Sequence, residues 1–226
     1  MVGDLAHVCN RGIEKRKIFL DQKDYLRFVE NLFLLNNKSG KIRTEKDILF
    51  KEVNLKRDKL VEILKWSLLP NHYHLLLYEK VEGGILEFTK RLGNAYTKYF
   101  NIKNKGRSGY VFQNRAKIIS ITRESQRLYI PFYIDINPLD LIFPDRKNIP
   151  KSKGKKALEF LREYQWSSYR DYFKKGTRQA IISPDLFYDM FDTSPEAYEK
   201  ELLNLSTCEV DEWVTDSLGI GKFSHW

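Results

Sequence analysis

His72 and His74 stand one residue apart inside Leu68-Leu69-Pro70-Asn71-His72-Tyr73-His74-Leu75-Leu76-Leu77, an apolar run that reads as a buried strand. Strand side chains alternate between faces, so both imidazoles project from one side of a sheet and Tyr73 from the other. Two neighbouring imidazoles on a rigid strand supply half of a divalent-metal site; two histidines that simply pack together leave the same pattern. Zinc finds little here to complete such a site. There is no Cys-x-x-Cys and no His-Glu-x-x-His, and the other histidines, His7 and His225, lie near the ends of the sequence. Farther along, Tyr133 and Asn137 are four residues apart in a helical pattern, which places a phenol and a carboxamide on one helix face. The carboxamide oxygen can ligate a metal or accept a hydrogen bond.

The elements that must position these groups follow from periodicity and punctuation. Residues 5–11 read as a first strand ending at Gly12, and a helix over about 22–36 can be capped by Asp21 or Asp24. Residues 41–58 read as a short helix or a surface excursion. Leu60–Leu69 reads as the strand before the histidine strand, joined to it by a tight turn at Pro70-Asn71. A helix follows over about 85–100, its stripe of Ile85, Phe88, Leu92, Ala95, Tyr96 and Tyr99 suited to a core. Residues 110–121 read as another strand. A helix from Thr122 or Arg123 to Ile136 should stop at Asn137-Pro138, with a kink at Pro131. Shorter helices are expected over 156–163 and 195–205, the second capped by Ser194. Trp213, Phe223 and Trp226 are expected to order part of the last residues.

Charge is distributed unevenly. From Thr177 onward there are three basic and ten acidic residues, a net of −7 in a chain whose total is +9, so the first 176 residues carry +16. A basic body of this kind suits a polyanion. Lys103, Lys105, Arg107, Arg115 and Lys117 cluster around Tyr110 and Phe112, pairing phosphate-neutralising cations with rings on which unpaired bases can stack. A solvated loop before a strand would have the same composition. No apolar run approaches the roughly 20 residues that span a bilayer, and Met1-Val2-Gly3-Asp4 does not read as a secretion signal, so a cytoplasmic, nucleoid-associated protein is expected. Cys9 and Cys208 read as isolated, reduced thiols that fill space in the core.

The ordered set Asn10-Arg11-Gly12, Leu69-Pro70-Asn71-His72-Tyr73-His74-Leu75-Leu76, Arg107-Ser-Gly-Tyr-Val-Phe-Gln-Asn-Arg115, Tyr133-Ile-Asp-Ile-Asn137-Pro138 and Trp166-Ser-Ser-Tyr169 resembles the single-tyrosine HUH transposases, most closely the REP-associated tyrosine transposase group. The resemblance implies an α+β, ferredoxin-like HUH fold with a central antiparallel sheet, helices on its faces and a C-terminal helical extension. It implies a catalytic domain over 1–145, a basic linker with the Trp-Ser-Ser-Tyr segment over 146–176, and an acidic helical extension over 177–226. It also implies a chemistry: His72, His74 and Asn137 hold Mg²⁺ or Mn²⁺, and Tyr133 attacks the scissile phosphate of single-stranded, hairpin-bearing DNA to leave a 5′-phosphotyrosine. Arg11, Lys103, Lys105, Arg107, Tyr110, Phe112, Arg115 and Lys117 would contact the nucleic acid. A monomer or homodimer with no membrane partner is expected. Tyr129, one turn before Tyr133, is the alternative nucleophile. Asp135 stands where the family often has His, Tyr110 and Asn114 where it often has His and Gly, and Pro131 is also unusual. A hairpin-binding protein of this fold that has lost turnover is the competing expectation.

Overall fold

The turn at Pro70-Asn71 does form a hairpin. In the computed structural model, which describes residues 1–40, 57–104, 107–143, 149–173 and 178–206, β2 (Val61–Leu69) and β3 (His72–Glu79) pair antiparallel with Leu69 opposite His72. β1 (Leu5–Arg11) lies along the other side of β3, and β4 (Lys117–Ser120) along the other side of β1, so the sheet runs β2-β3-β1-β4 with every pair antiparallel. With α1 (Gln22–Leu34) between β1 and β2 and α2 (Gly84–Lys103) between β3 and β4, this is the βαββαβ order of a ferredoxin-like α+β fold. Asp21 caps α1 by accepting from the amides of Lys23 and Asp24, and the Asp24 carboxylate reaches back to the Leu20 and Asp21 amides.

Alternation divides the sheet into two faces. Ala6, Val8, Tyr73, Leu75 and Leu77 meet the stripes of α1 and α2, including Phe28, Leu32, Phe88, Leu92 and Tyr96. Leu5, Cys9 and Leu76 face the other way, against Ile130, Tyr133 and Ile134 of α3 (Glu124–Ile136). α4 (Gly154–Glu163), α5 (Tyr169–Phe173), α6 (Pro184–Phe191) and α7 (Pro195–Ser206) complete that second core through Ala157, Leu161, Tyr169, Phe187, Tyr198 and Leu202. Of these, α4 and α7 match the sequence expectation, with the Ser194 hydroxyl capping α7 through the Ala197 amide; α5 and α6 were too short to read from periodicity. The Trp-Ser-Ser-Tyr segment runs along the outer edge of β2. There the Leu68 amide donates to the Trp166 carbonyl and the Ser168 amide to the Trp66 carbonyl, both at 2.8 Å, which covers an edge that would otherwise be open to pairing.

One expectation needs correction. The strand expected over 110–121 is confined to Lys117–Ser120. Upstream of the Cys9–Lys117 pair the backbone swings away, and the Asn10 side-chain amide, not a backbone N–H, reaches the Asn114 carbonyl at 3.0 Å. Only Phe112 returns to the ladder, in a single bridge with Gly12. β2 forms where expected but is not a simple alternating strand. A bulge at Leu64, between the Ile63–Leu77 and Lys65–Leu76 pairs, resets its phase. Leu64 and Lys65 therefore both face α3, while Ile63, Trp66 and Leu68 face α1 and α2. The excursion expected over 41–58 lies largely outside the described residues, as do Cys208, Trp213, Phe223 and Trp226.

The bulge carries Lys65 into the second core, fully buried. Its ammonium donates to Asp135 Oδ2 at 2.8 Å and sits over the rings of Tyr172, Tyr198 and Phe187 at 3.7, 4.2 and 4.4 Å. The Tyr198 hydroxyl donates to the same carboxylate oxygen at 2.8 Å. Burial pushes Asp135 up and Lys65 down, and each partner's charge opposes the shift of the other. Leaving one charge without its partner in such a place costs about 3–5 kcal/mol. Urea unfolding should accordingly show Lys65→Met and Asp135→Asn each destabilised by about that much, with the double variant Lys65→Met/Asp135→Leu recovering most of the loss. Equal, additive losses would show that the two groups are not coupled.

Candidate active site on the third strand

β3 places His72 and His74 on the α3 face, ring centroids 5.0 Å apart and nearly perpendicular, with Tyr73 on the opposite face as alternation requires. Each imidazole is held through Nδ1. The Asn71 side chain donates from Nδ2 to the Lys15 carbonyl at 3.3 Å, which turns its oxygen toward His72 Nδ1 at 2.7 Å. An amide oxygen only accepts, so His72 Nδ1 is the donor in this contact. His74 Nδ1 lies 2.9 Å from His7 Nε2, one ring donating and the other accepting. Orientation of an imidazole through its second nitrogen is how metal-binding histidines are commonly set.

His7 is the residue that sequence reasoning passed over. Near the terminus in sequence, it lies at the middle of the fold because β1 is an inner strand. His7 and Cys9 are two apart on β1 and share a face, and Cys9 pairs directly opposite His74. Donor atoms of His7, Cys9 and His74 all lie within 4.8 Å of one another, and all three side chains are buried. The missing signal was the same two-residue alternation already applied to β3, combined with a pairing register that no single strand reveals.

Tyr133 closes the cluster from α3. Its ring meets His74 edge-on at 5.4 Å and His7 at 5.9 Å, and Tyr129 lies one turn back at 6.2 Å. Asn137 stands one turn beyond Tyr133, its Nδ2 donating to the Tyr133 carbonyl at 3.1 Å at the end of α3. That bond commits the amide nitrogen to the helix and leaves the oxygen as the end able to ligate. Two imidazoles and a carboxamide oxygen are donor types that suit a divalent ion of borderline hardness. The structure adds to the histidine pair a buried nitrogen and sulfur group, His7, Cys9 and His74, that could hold a metal ion. Burial pushes the Cys9 thiol up to about 12, with Lys117 acting against the shift, so the thiol is neutral at physiological pH.

The expected nucleic-acid residues divide. Arg11 ends β1 opposite His72 and is 8% exposed. Arg115 and Lys117 are exposed, and Tyr110 is 84% exposed. Lys103 is committed to Asp21 and Asp24 at 2.8 and 2.6 Å, and Arg107 sits over the Phe100 ring at 5.3 Å. Phe112 is a core residue, packed against Tyr73 and Tyr96. Lys105 lies outside the described residues.

His7 gives the site a pH signature. Burial first, and Lys117 second, push its imidazole down to about 3 from 6.5. The unfolded chain binds a proton near 6.5 that the native chain refuses until about pH 3. Stability from this group is therefore complete above pH 6.5 and lost as pH falls toward 3, a full loss of roughly 5 kcal/mol. Urea denaturation from pH 7.5 to 4.5 should show His7→Phe losing roughly 2–3 kcal/mol less than the wild type over that range; parallel curves would contradict it.

No family model and no curated protein matches the chain. Among solved structures it is similar to a REP-associated tyrosine transposase bound to a REP hairpin, with 14% identity over 75% of this chain and 78% of that chain and a TM-score of 0.41.

Proposed function

We propose that this protein nicks and rejoins single-stranded, hairpin-bearing DNA through a tyrosine nucleophile, in the manner of the HUH transposases. The observation that carries the reading is the contact of the Tyr133 ring with His74, itself 5.0 Å from His72, on one face of a basic protein.

In this reading Tyr133 Oη forms a bond to phosphorus and the P–O3′ bond breaks. The phenol loses its proton and the departing 3′ oxygen gains one. The product is a 5′-phosphotyrosine and a free 3′-OH, which retains the energy needed for rejoining without ATP. A phenol with a pKa near ~10 is a weak nucleophile at neutral pH and needs neighbouring positive charge. Mg²⁺ or Mn²⁺ held by His72, His74 and Asn137 would supply that charge and neutralise the phosphate oxygens. Asn71 and His7 keep the two imidazoles turned toward the site. The Lys65–Asp135 pair fixes α3, and with it Tyr133, against the sheet. Arg11, Arg115 and Lys117 would hold the DNA backbone.

A second reading, a hairpin-DNA-binding protein without turnover, is favoured by the burial of Tyr133, only 3% exposed. Covalent trapping separates the two. The full chain is incubated with labelled hairpin DNAs and Mn²⁺, denatured and run on a gel. A shifted protein–DNA band that is lost in Tyr133→Phe, and reduced at least 100-fold in His72→Ala, is the expected outcome. A band that depends on Tyr129 instead would move the nucleophile by one turn, and binding without any band would leave the second reading.

A further inference from the structure

His7 occupies a place where packing alone asks for an apolar side chain. It stands on β1 between Leu76 of β3 and Ile119 of β4 and has no exposed surface. Its Nε2 meets His74 Nδ1 at 2.9 Å. Its Nδ1 is buried with no hydrogen-bond partner among the described residues, which costs about 1–3 kcal/mol. Cys9, two residues on, shares the face of His7 and pairs directly opposite His74. One nitrogen from each imidazole and the Cys9 sulfur lie within 4.8 Å of one another, closed off from solvent.

Two nitrogens and a sulfur are donors for a thiophilic ion, whereas Mg²⁺ takes oxygen. Zinc bonds of ~2.0 Å to nitrogen and ~2.3 Å to sulfur put tetrahedral donors roughly 3.5 Å apart. Side-chain movements of about an ångström therefore gather the three donors around one such ion. Cys9 would coordinate as thiolate, its proton passing to solvent. This donor set differs from His72, His74 and Asn137 and shares only His74 with it. If the ion takes His74 Nε2, that nitrogen is lost to the His72 pair. If it takes Nδ1, the hydrogen bond from His7 that orients the ring is broken.

We propose that His7, Cys9 and His74 form a second metal site, selective for an ion of the zinc class, whose occupation withdraws His74 from the His72 pair and arrests nicking. The site stands on the pairing of β1 with β3; the arrest rests on the nicking reading. Cys9 separates the two sets, because it belongs to the second alone.

The buried donors are reached as the chain folds, so the reduced full chain is refolded from urea with one equivalent of Co²⁺ or Zn²⁺ and then desalted. Co²⁺ should give a near-ultraviolet thiolate-to-cobalt band that Zn²⁺ displaces. The band should persist in His72→Ala and in Cys208→Ser, which removes the other cysteine, and vanish in Cys9→Ser and Cys9→Ala. Circular dichroism should show each variant folded. On a hairpin with a single-stranded flank and Mn²⁺, zinc loading should lower the wild-type covalent adduct roughly tenfold or more, and that of the Cys9 variants less than about twofold. A folded wild type without the band, or a band that survives in Cys9→Ser, would overturn the site. Equal suppression by zinc in wild type and Cys9→Ser would overturn the arrest and place the inhibiting ion elsewhere. Absence of any adduct in zinc-free Mn²⁺ would overturn the nicking reading and the arrest with it, while the cobalt band still decides the site.

Discussion

The arrangement of the histidine face depends on one buried ion pair. Lys65 and Asp135 have no access to water, and their mutual attraction in that setting offsets only part of the cost of removing two charges from solvent. The structure therefore surrounds them: three aromatic rings face the ammonium, and the Tyr198 hydroxyl donates to the carboxylate. Those partners come from α5, α6 and α7, so the C-terminal helices close around the pair that joins β2 to α3. An apolar pair of the same volume would join the two elements without specifying their register. A charge that is satisfied in only one geometry holds α3, and with it Tyr133, in place.

The same logic explains the bulge at Leu64. A regular strand would have put Lys65 beside Ile63, on the face packed under α1 and α2 and away from Asp135. One inserted residue changes the phase and brings lysine to the face that carries His72 and His74. Asp135 stands where histidine is common in the family that the sequence resembles, and in this chain that position serves the ion pair. The departure is thus matched by a lysine seventy residues away.

Asn10 and Arg11 are consecutive on β1 and take opposite faces of the sheet: the Asn10 side chain reaches the Asn114 carbonyl at 3.0 Å, and Arg11 pairs with His72. The strand end thus ties the segment before β4 to the histidine face, and a rigid strand limits how far either can drift.

Much of the fold was legible in the sequence because its signals are local. The His72–Tyr73–His74 alternation, the Asp21 cap, the α2 stripe and the stop at Asn137-Pro138 each depend on residues within a turn or two of one another. They establish the strand–helix order and place two imidazoles on one face and a tyrosine on a helix. What lay beyond reach depends on register between distant segments. His7 seemed a terminal residue until β1 paired with β3 and set it against His74; the bulge that carries Lys65 to Asp135 leaves no local signal in the sequence. Phe112 seemed a stacking ring until packing buried it, whereas Tyr110, two residues earlier, was left in solvent. Periodicity encodes which side chains share a face, but only tertiary pairing decides which faces meet, because the free energy that selects the register is spread over the whole sheet.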